Sequence, residues 1–256
     1  MSHNDDKNSQ LSIFIVLLNN QILLTAMKNN SFIACIALTC LIALATGMTP
    51  DPSLDKSDFV MIADEIPEVM LEVRYYTTYN FVGDRINGYN APVSYITKEA
   101  AAALKIASDN AVKDGYRIRV YDAYRPQDAV DHFKAWAKDI DDTRMKEYFY
   151  PDLDKSVLFK LGYIASRSGH SRGSTIDLTL FDMSTGHNVD MGGPFDFFGE
   201  LSHPEYKGVT PEQYANRMYL RKLMMDAGFR PYSEEWWHFT LVDEPFPDTY
   251  FNFPNE

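Results

Sequence analysis

Two histidines in this chain have company that suits metal chemistry. His170 stands in Ser168-Gly169-His170-Ser171-Arg172-Gly173-Ser174-Thr175-Ile176-Asp177, a Ser, Gly and Arg loop running into an apolar stretch. Asp177 follows seven residues later, inside that stretch. A carboxylate among apolar neighbours needs a partner, because an unpaired buried charge is costly. His nitrogen and Asp oxygen both suit zinc, at about 2.0–2.2 Å. The alternative is an Asp177 that faces solvent or caps a turn, beside an ordinary loop histidine. His238 stands in Glu234-Glu235-Trp236-Trp237-His238-Phe239, where the aromatics make a dry wall. His170, Asp177 and His238 would leave a fourth zinc position for water, the pattern of a catalytic site.

Zinc lowers the pKa of its water to about 7 and polarises a carbonyl. Hydrolysis also needs a base, and a nearby carboxylate serves. Glu235 is the candidate, three residues before His238. In a regular strand that odd spacing puts the two on opposite faces. Both reach one site only if Glu235 sits in the turn before the strand, which Arg230-Pro231-Tyr232-Ser233 makes plausible. Otherwise Glu234 and Glu235 are a surface pair ahead of a core strand. Arg125, in Tyr121-Asp122-Ala123-Tyr124-Arg125-Pro126, can hold a carboxylate or a developing oxyanion. It can equally pair with Asp122 to fix its loop.

The elements that must position these groups are readable in outline. Thr97 to about Asp114 reads as a helix with Thr97 as N-cap, an Ala-rich apolar face and Gly115 as its stop. Arg117–Tyr121 alternates as a strand. Pro126 opens a second helix, through about Lys138. Ser174–Phe181 is a strand, and His187–Met191 could pair back on it across the Ser184-Thr185-Gly186 turn. Pro211 to Ala227 is a third helix closed by Gly228, and Trp236–Val242 a last strand. Phe246–Pro254 reads as an aromatic C-terminal cover. The expected fold is α+β: one compact domain with a small antiparallel sheet flanked by helices, and the zinc site at the sheet.

The remaining properties bound the class. The chain has 256 residues, 45% hydrophobic and 14% aromatic, enough for one domain with a real core. Its formal net charge is −12, and no Lys/Arg cluster stands out, which argues against nucleic acid as a partner. Residues 1–45 read as a secretory signal peptide: Lys28, the apolar Ser31–Ala45 and the small-x-small exit Ala43-Leu44-Ala45. Met27 is the expected true start. The apolar run is shorter than the about 20 residues of a spanning helix, so no stable membrane span is expected after signal removal. An uncleaved N-terminal anchor is the alternative. Cys35 and Cys40, the two cysteines, both lie in this segment, so neither a disulfide nor a thiol is expected to serve the mature protein. Residues 46–60 read as a Pro/Asp/Ser-rich linker and 61–256 as the zinc domain.

Taken in order, Ser-x-His-x-x-Gly-x-x-x-Asp, Glu-x-x-His and the Tyr-Arg-Pro turn resemble the zinc D-alanyl-D-alanine dipeptidases. These are the VanX-type branch of a wider group of zinc peptidases acting on bacterial cell walls. The likeness runs from about residue 60 to the C-terminus. Ser-Arg-Gly-Ser-Thr-Ile-Asp-Leu-Thr-Leu, Glu-Trp-Trp-His and the tail Asp-Glu-Pro-Phe-Pro-Asp-Thr-Tyr-Phe-Asn-Phe-Pro also look like this branch. The resemblance implies one zinc per chain on His170, Asp177 and His238, Glu235 as general base, and Arg125 stabilising the oxyanion. It implies that Asp196, in Gly-Gly-Pro-Phe-Asp-Phe-Phe, and Tyr75 bind the substrate ammonium, Tyr76 and Tyr79 offering other registers for Tyr75. Ser168 would line the pocket.

The implied substrate is a short dipeptide, D-Ala-D-Ala, cut to two D-alanines. A pocket with acids at one end and donors at the other selects by length, since a longer chain leaves buried groups unpaired at about 1–3 kcal/mol each. A related carboxypeptidase trimming wall stem peptides and a non-catalytic zinc module are the alternatives. The signal peptide implies export, to the periplasm. The sequence does not fix an oligomeric state.

Overall fold

The computed structural model describes residues 56–256. The expected signal peptide, the expected start at Met27 and both cysteines lie outside them. Among the described residues no helix is long and apolar enough to cross a membrane.

The polypeptide forms a mixed α+β domain. Among the described residues there are eight short strands: β1 (Phe59–Met61), β2 (Met70–Leu71), β3 (Tyr95–Thr97), β4 (Tyr116–Asp122), β5 (Thr175–Asp182), β6 (His187–Asn188), β7 (Phe229–Pro231) and β8 (His238–Leu241). The three long helices are α1 (Lys98–Lys113), α2 (Gln127–Lys138) and α3 (Pro211–Asp226). The main sheet runs β2-β4-β5-β8-β7, with β6 on β5, while β1 and β3 form a separate pair. Every pairing is antiparallel except β2 on β4, which is parallel. The expected antiparallel sheet therefore carries one parallel edge strand.

Local chemistry accounts for most boundaries. α1 starts after Thr97, but the Thr97 hydroxyl bonds Ser174 Oγ at 2.8 Å instead of capping the helix. α3 has a full capping box between Thr210 and Gln213 and a proline in its first turn. Ile118 and Val120 of β4 face Leu180 and Leu178 of β5. They share one core with Leu104 and Ala107 of α1 and Leu220 and Met224 of α3. Strand alternation then sends Asp177 to the opposite face.

Three expected boundaries move. Residues 56–60 are not linker: Lys56–Asp58 form a 3-10 turn, and Phe59 is buried in β1. Phe59 packs edge-on against Tyr124, Phe251 and Phe253, so the domain needs it. The last strand begins at His238, not Trp236, because Trp236 N–H donates to Ser202 O at 2.9 Å and holds both tryptophans in a turn. The hairpin strand after β5 is only His187–Asn188.

Candidate active site

The sheet register assembles the site. Asp177 lies opposite His238 on β8 and opposite Asp122 on β4. Residues directly opposite on paired strands share a face with Cβ atoms about 4.5–5.5 Å apart, so three strands deliver these side chains in one row. A register shift in β4 between Val120 and Asp122 brings Asp122 into that row.

His170 comes from a 3-10 turn, Gly169–Arg172, immediately before β5. Ser168 Oγ accepts from His170 N–H at 3.3 Å. Gly173 closes the turn at φ +83°, and a Cβ there would come within 2.2 Å of the Phe59 ring. Only glycine suits both constraints. His170 Nδ1 bonds Ala123 O at 2.8 Å. A carbonyl can only accept, so this bond puts the proton on Nδ1 and the lone pair of Nε2 towards the pocket.

Three ligand atoms converge. His170 Nε2 is 3.3 Å from Asp177 Oδ2 and 3.3 Å from His238 Nδ1. His238 Nδ1 is 3.0 Å from Asp177 Oδ1. Tetrahedral bonds of about 2.0–2.2 Å put ligand atoms roughly 3.3–3.6 Å apart. Asp177 is 1% exposed, and its Oδ1 makes no well-aligned hydrogen bond. Two imidazoles and a carboxylate aimed at one point, with an unsatisfied oxygen among them, fit a zinc ion.

The electrostatics agree. Burial alone would raise the Asp177 carboxyl, but the two histidines beside it hold it well below the usual carboxylate range. Burial alone would lower His238, but the carboxylates of Asp177 and Glu235 beside its Nδ1 push it up to about 9. A cation is therefore welcome here, as a proton or as a metal.

The other expected groups surround this centre. Glu235 stands in the turn before β8, with Oε2 3.3 Å from His238 Nδ1. Arg125 pairs with Asp122 and also faces the cavity. Its Nε donates to Asp122 Oδ2 at 2.9 Å, while Nη2 reaches within 3.6 Å of Asp177 Oδ2 and 3.5 Å of Tyr75 Oη. Tyr75 donates to Asp196 Oδ1 at 3.1 Å and, unlike Tyr76 and Tyr79, lines the cavity. Burial first, and the charge of Asp177 second, raise the Asp196 carboxyl. One cavity of about 240 Å³ is lined by all eight expected residues. That is below the usual range of about 300–1,000 Å³ for ligand pockets, so it suits a small molecule.

Two contributors were not anticipated as site residues. Asp122 is fully buried, accepts from Tyr89 Oη at 2.6 Å and lies 3.6 Å from His170 Nδ1. Its place three residues before Arg125 was the available signal. Tyr232 lines the cavity with its ring 5.4 Å from that of His238; no spacing rule marks it.

The sequence is similar to those of known proteins. The D-alanyl-D-alanine dipeptidase of Enterococcus faecalis is 44% identical over 198 residues, covering 77% of this chain and 98% of that protein. That of Streptomyces coelicolor is 42% identical, with coverage of 77% and 98%. That of Escherichia coli is 34% identical, with coverage of 73% and 86%. The family Peptidase_M15, described as D-ala-D-ala dipeptidase, matches residues 55–256. With the whole described domain inside that match, the chain belongs to the D-ala-D-ala dipeptidase family.

Proposed function

We propose that this chain hydrolyses the dipeptide D-Ala-D-Ala to two D-alanines in cell-wall metabolism, with one zinc ion held by His170, Asp177 and His238. The observation that carries the reading is that Glu235, Arg125 and the Tyr75–Asp196 pair share one small cavity with the three ligands. When bound, zinc supplies a water of lowered pKa and polarises the scissile carbonyl.

The chain's own residues do the rest. Glu235 takes the water proton and returns it to the leaving amine. Arg125, fixed by Asp122, offers its free Nη to the oxygen that gains charge. Asp196 and the Tyr75 hydroxyl receive the substrate ammonium, so the substrate is measured from its amino end. Ser168 holds the His170 turn and lines the wall. Relatives named D-alanyl-D-alanine dipeptidases, at 34–44% identity over most of their lengths, support the same substrate.

The deciding experiment measures D-alanine release from D-Ala-D-Ala, L,L and L,D dipeptides and longer stems, with and without chelator. Turnover of D-Ala-D-Ala alone, abolished by chelation, is expected. Cleavage of a pentapeptide stem would sink the dipeptidase reading in favour of a carboxypeptidase; bound zinc without turnover would leave a binding module. The protein acts outside the cytoplasm, in the periplasm, on dipeptide released from the wall. Support for that is the charged, apolar and small-residue pattern of residues 27–45, and cell fractionation tests it.

A further inference from the structure

Asp196 is held in an unusual way. Its φ is +63°, the one non-glycine positive φ among the described residues. A non-glycine residue in this region is strained and persists only where its surroundings over-determine it. Asp196 sits on a long loop between β6 and α3, and that loop rests on one face of α3.

The anchor is Arg217, in the middle of α3. It is 1% exposed and is not among the residues lining the cavity. Its guanidinium donates to three backbone carbonyls: Met191 O at 2.6 Å, His203 O at 2.8 Å and Leu201 O at 2.9 Å. Met191 precedes Asp196 on the loop, while Leu201 and His203 follow it. One planar fork thus ties the two limbs of the loop together. Its donors all go to carbonyl dipoles; no carboxylate lies within ion-pair distance. A buried cation without a counter-charge is a costly way to fill space, and its rigid fork is what a lysine or an apolar side chain lacks.

Neighbouring contacts make the loop seat tight. Asn216 Nδ2 donates to Asp190 O, and Gln213 Nε2 to Asp190 Oδ2, both at 2.9 Å. A Cβ on Gly192 would come within 2.7 Å of Val209, so the backbone lies close against the segment leading into α3. The far limb of the loop also carries the Ser202 carbonyl that holds Trp236, next to Glu235.

We infer that Arg217 is a positioning residue for catalysis: by clamping Met191, Leu201 and His203 it sets the Asp196 carboxylate at the amino end of the substrate. This rests on the reading that Asp196 binds the substrate ammonium. Misplacement of a binding group by about 1 Å, from a change far from the chemistry, costs up to about a hundredfold. His170, Asp177 and His238 stand on the sheet and the 3-10 turn and make no bond to Arg217, so zinc content reports on them separately from the clamp.

The test is a double-mutant cycle with D-Ala-D-Ala as substrate: wild type, Arg217→Lys, Asp196→Asn and the double variant, each with zinc content and melting temperature measured. Asparagine tolerates positive φ, so Asp196→Asn removes charge without new strain. Arg217→Lys is expected to raise KM about tenfold with kcat within about threefold and zinc at the wild-type level. In the Asp196→Asn background the same change should move KM less than about twofold, because the group it positions has lost its charge. An equal KM effect in both backgrounds, unchanged KM in Arg217→Lys, or loss of zinc would each overturn the proposal. If Arg217→Lys does not fold, Arg217→Gln goes through the same cycle with the same criteria. Failure of both to fold would make Arg217 a core-stability residue and overturn it too. A wild type that releases no D-alanine would instead refute the dipeptidase reading, and the inference would fall with it.

Discussion

Glu235 and His238 are three residues apart, yet Glu235 Oε2 and His238 Nδ1 meet at 3.3 Å. The turn that places Trp236 and Trp237 before β8 makes this contact. It keeps the carboxylate beside His238 and facing the cavity. Glu235→Gln preserves the shape and removes the base. Zinc content should stay at the wild-type level while kcat falls by about 10²–10⁴. D-alanine release and metal analysis on the same preparation check it. Full turnover in the variant would remove Glu235 as base.

Arg125 divides its fork between structure and chemistry. Nε is committed to Asp122, and Nη2 faces the cavity between Asp177 and Tyr75. Lysine has one nitrogen and can serve only one of these partners. Arg125→Lys should therefore keep zinc but lower kcat by about 10²–10³, the usual effect of losing one oxyanion donor. Wild-type kcat with raised KM would assign Arg125 to ground-state binding instead.

Much of this was legible in the residues because local rules decide it. Pro126 and Pro211 at helix starts, Gly115 and Gly228 at helix ends and the β-branched run of β5 each mark an element without distant help. The convergence of His170, Asp177 and His238 was legible in part, since a lone Asp in an apolar strand demands a partner. What sequence could not supply is long-range placement. Phe59 looked like linker because its partners, Tyr124, Phe251 and Phe253, lie far along the chain. Asp122 opposite Asp177 depends on an irregular β4 register, and Arg217 beneath the Asp196 loop depends on how α3 docks.

The metal-free protein should have a distinctive pH response. The carboxylates of Asp177 and Glu235 push His238 up to about 9, above its ordinary value of about 6.5. A group raised on folding adds stability that is fully present below its unfolded pKa and is lost as pH rises through its folded pKa. Chelated protein should therefore lose thermal stability from about pH 6.5 to 9. Zinc replaces that proton, so its apparent affinity should weaken as pH falls through about 9. Zinc titrations at pH 6.5, 8 and 9.5, paired with melts of the chelated protein, test both signs. His238→Ala should abolish tight zinc binding and flatten the melt profile in this window.

The C-terminal tail is a structural part of the site, because the strand-to-helix corner that carries Arg125 is fastened to it. Tyr124 Oη donates to Phe253 O at 3.0 Å and accepts from Phe253 N–H at 2.7 Å, and the two rings stack at 4.1 Å. Phe251 N–H donates to Ser171 O at 2.9 Å, one residue from His170. Phe251 is 2% exposed, so Phe251→Ala should cost about 3–5 kcal/mol. In a domain of this size that is roughly 10 °C of melting temperature. Tyr124→Phe keeps the ring stack but strips one Phe253 N–H and one C=O of their partner, at about 1–3 kcal/mol. Arg125 remains tied in that variant by Asp122 and by its own N–H to His170 O at 3.3 Å. Its kcat should therefore stay within about twofold of wild type while its melting temperature drops by several degrees. A large kcat loss in Tyr124→Phe with zinc still bound would mean that the tail, and not Asp122, sets the position of Arg125.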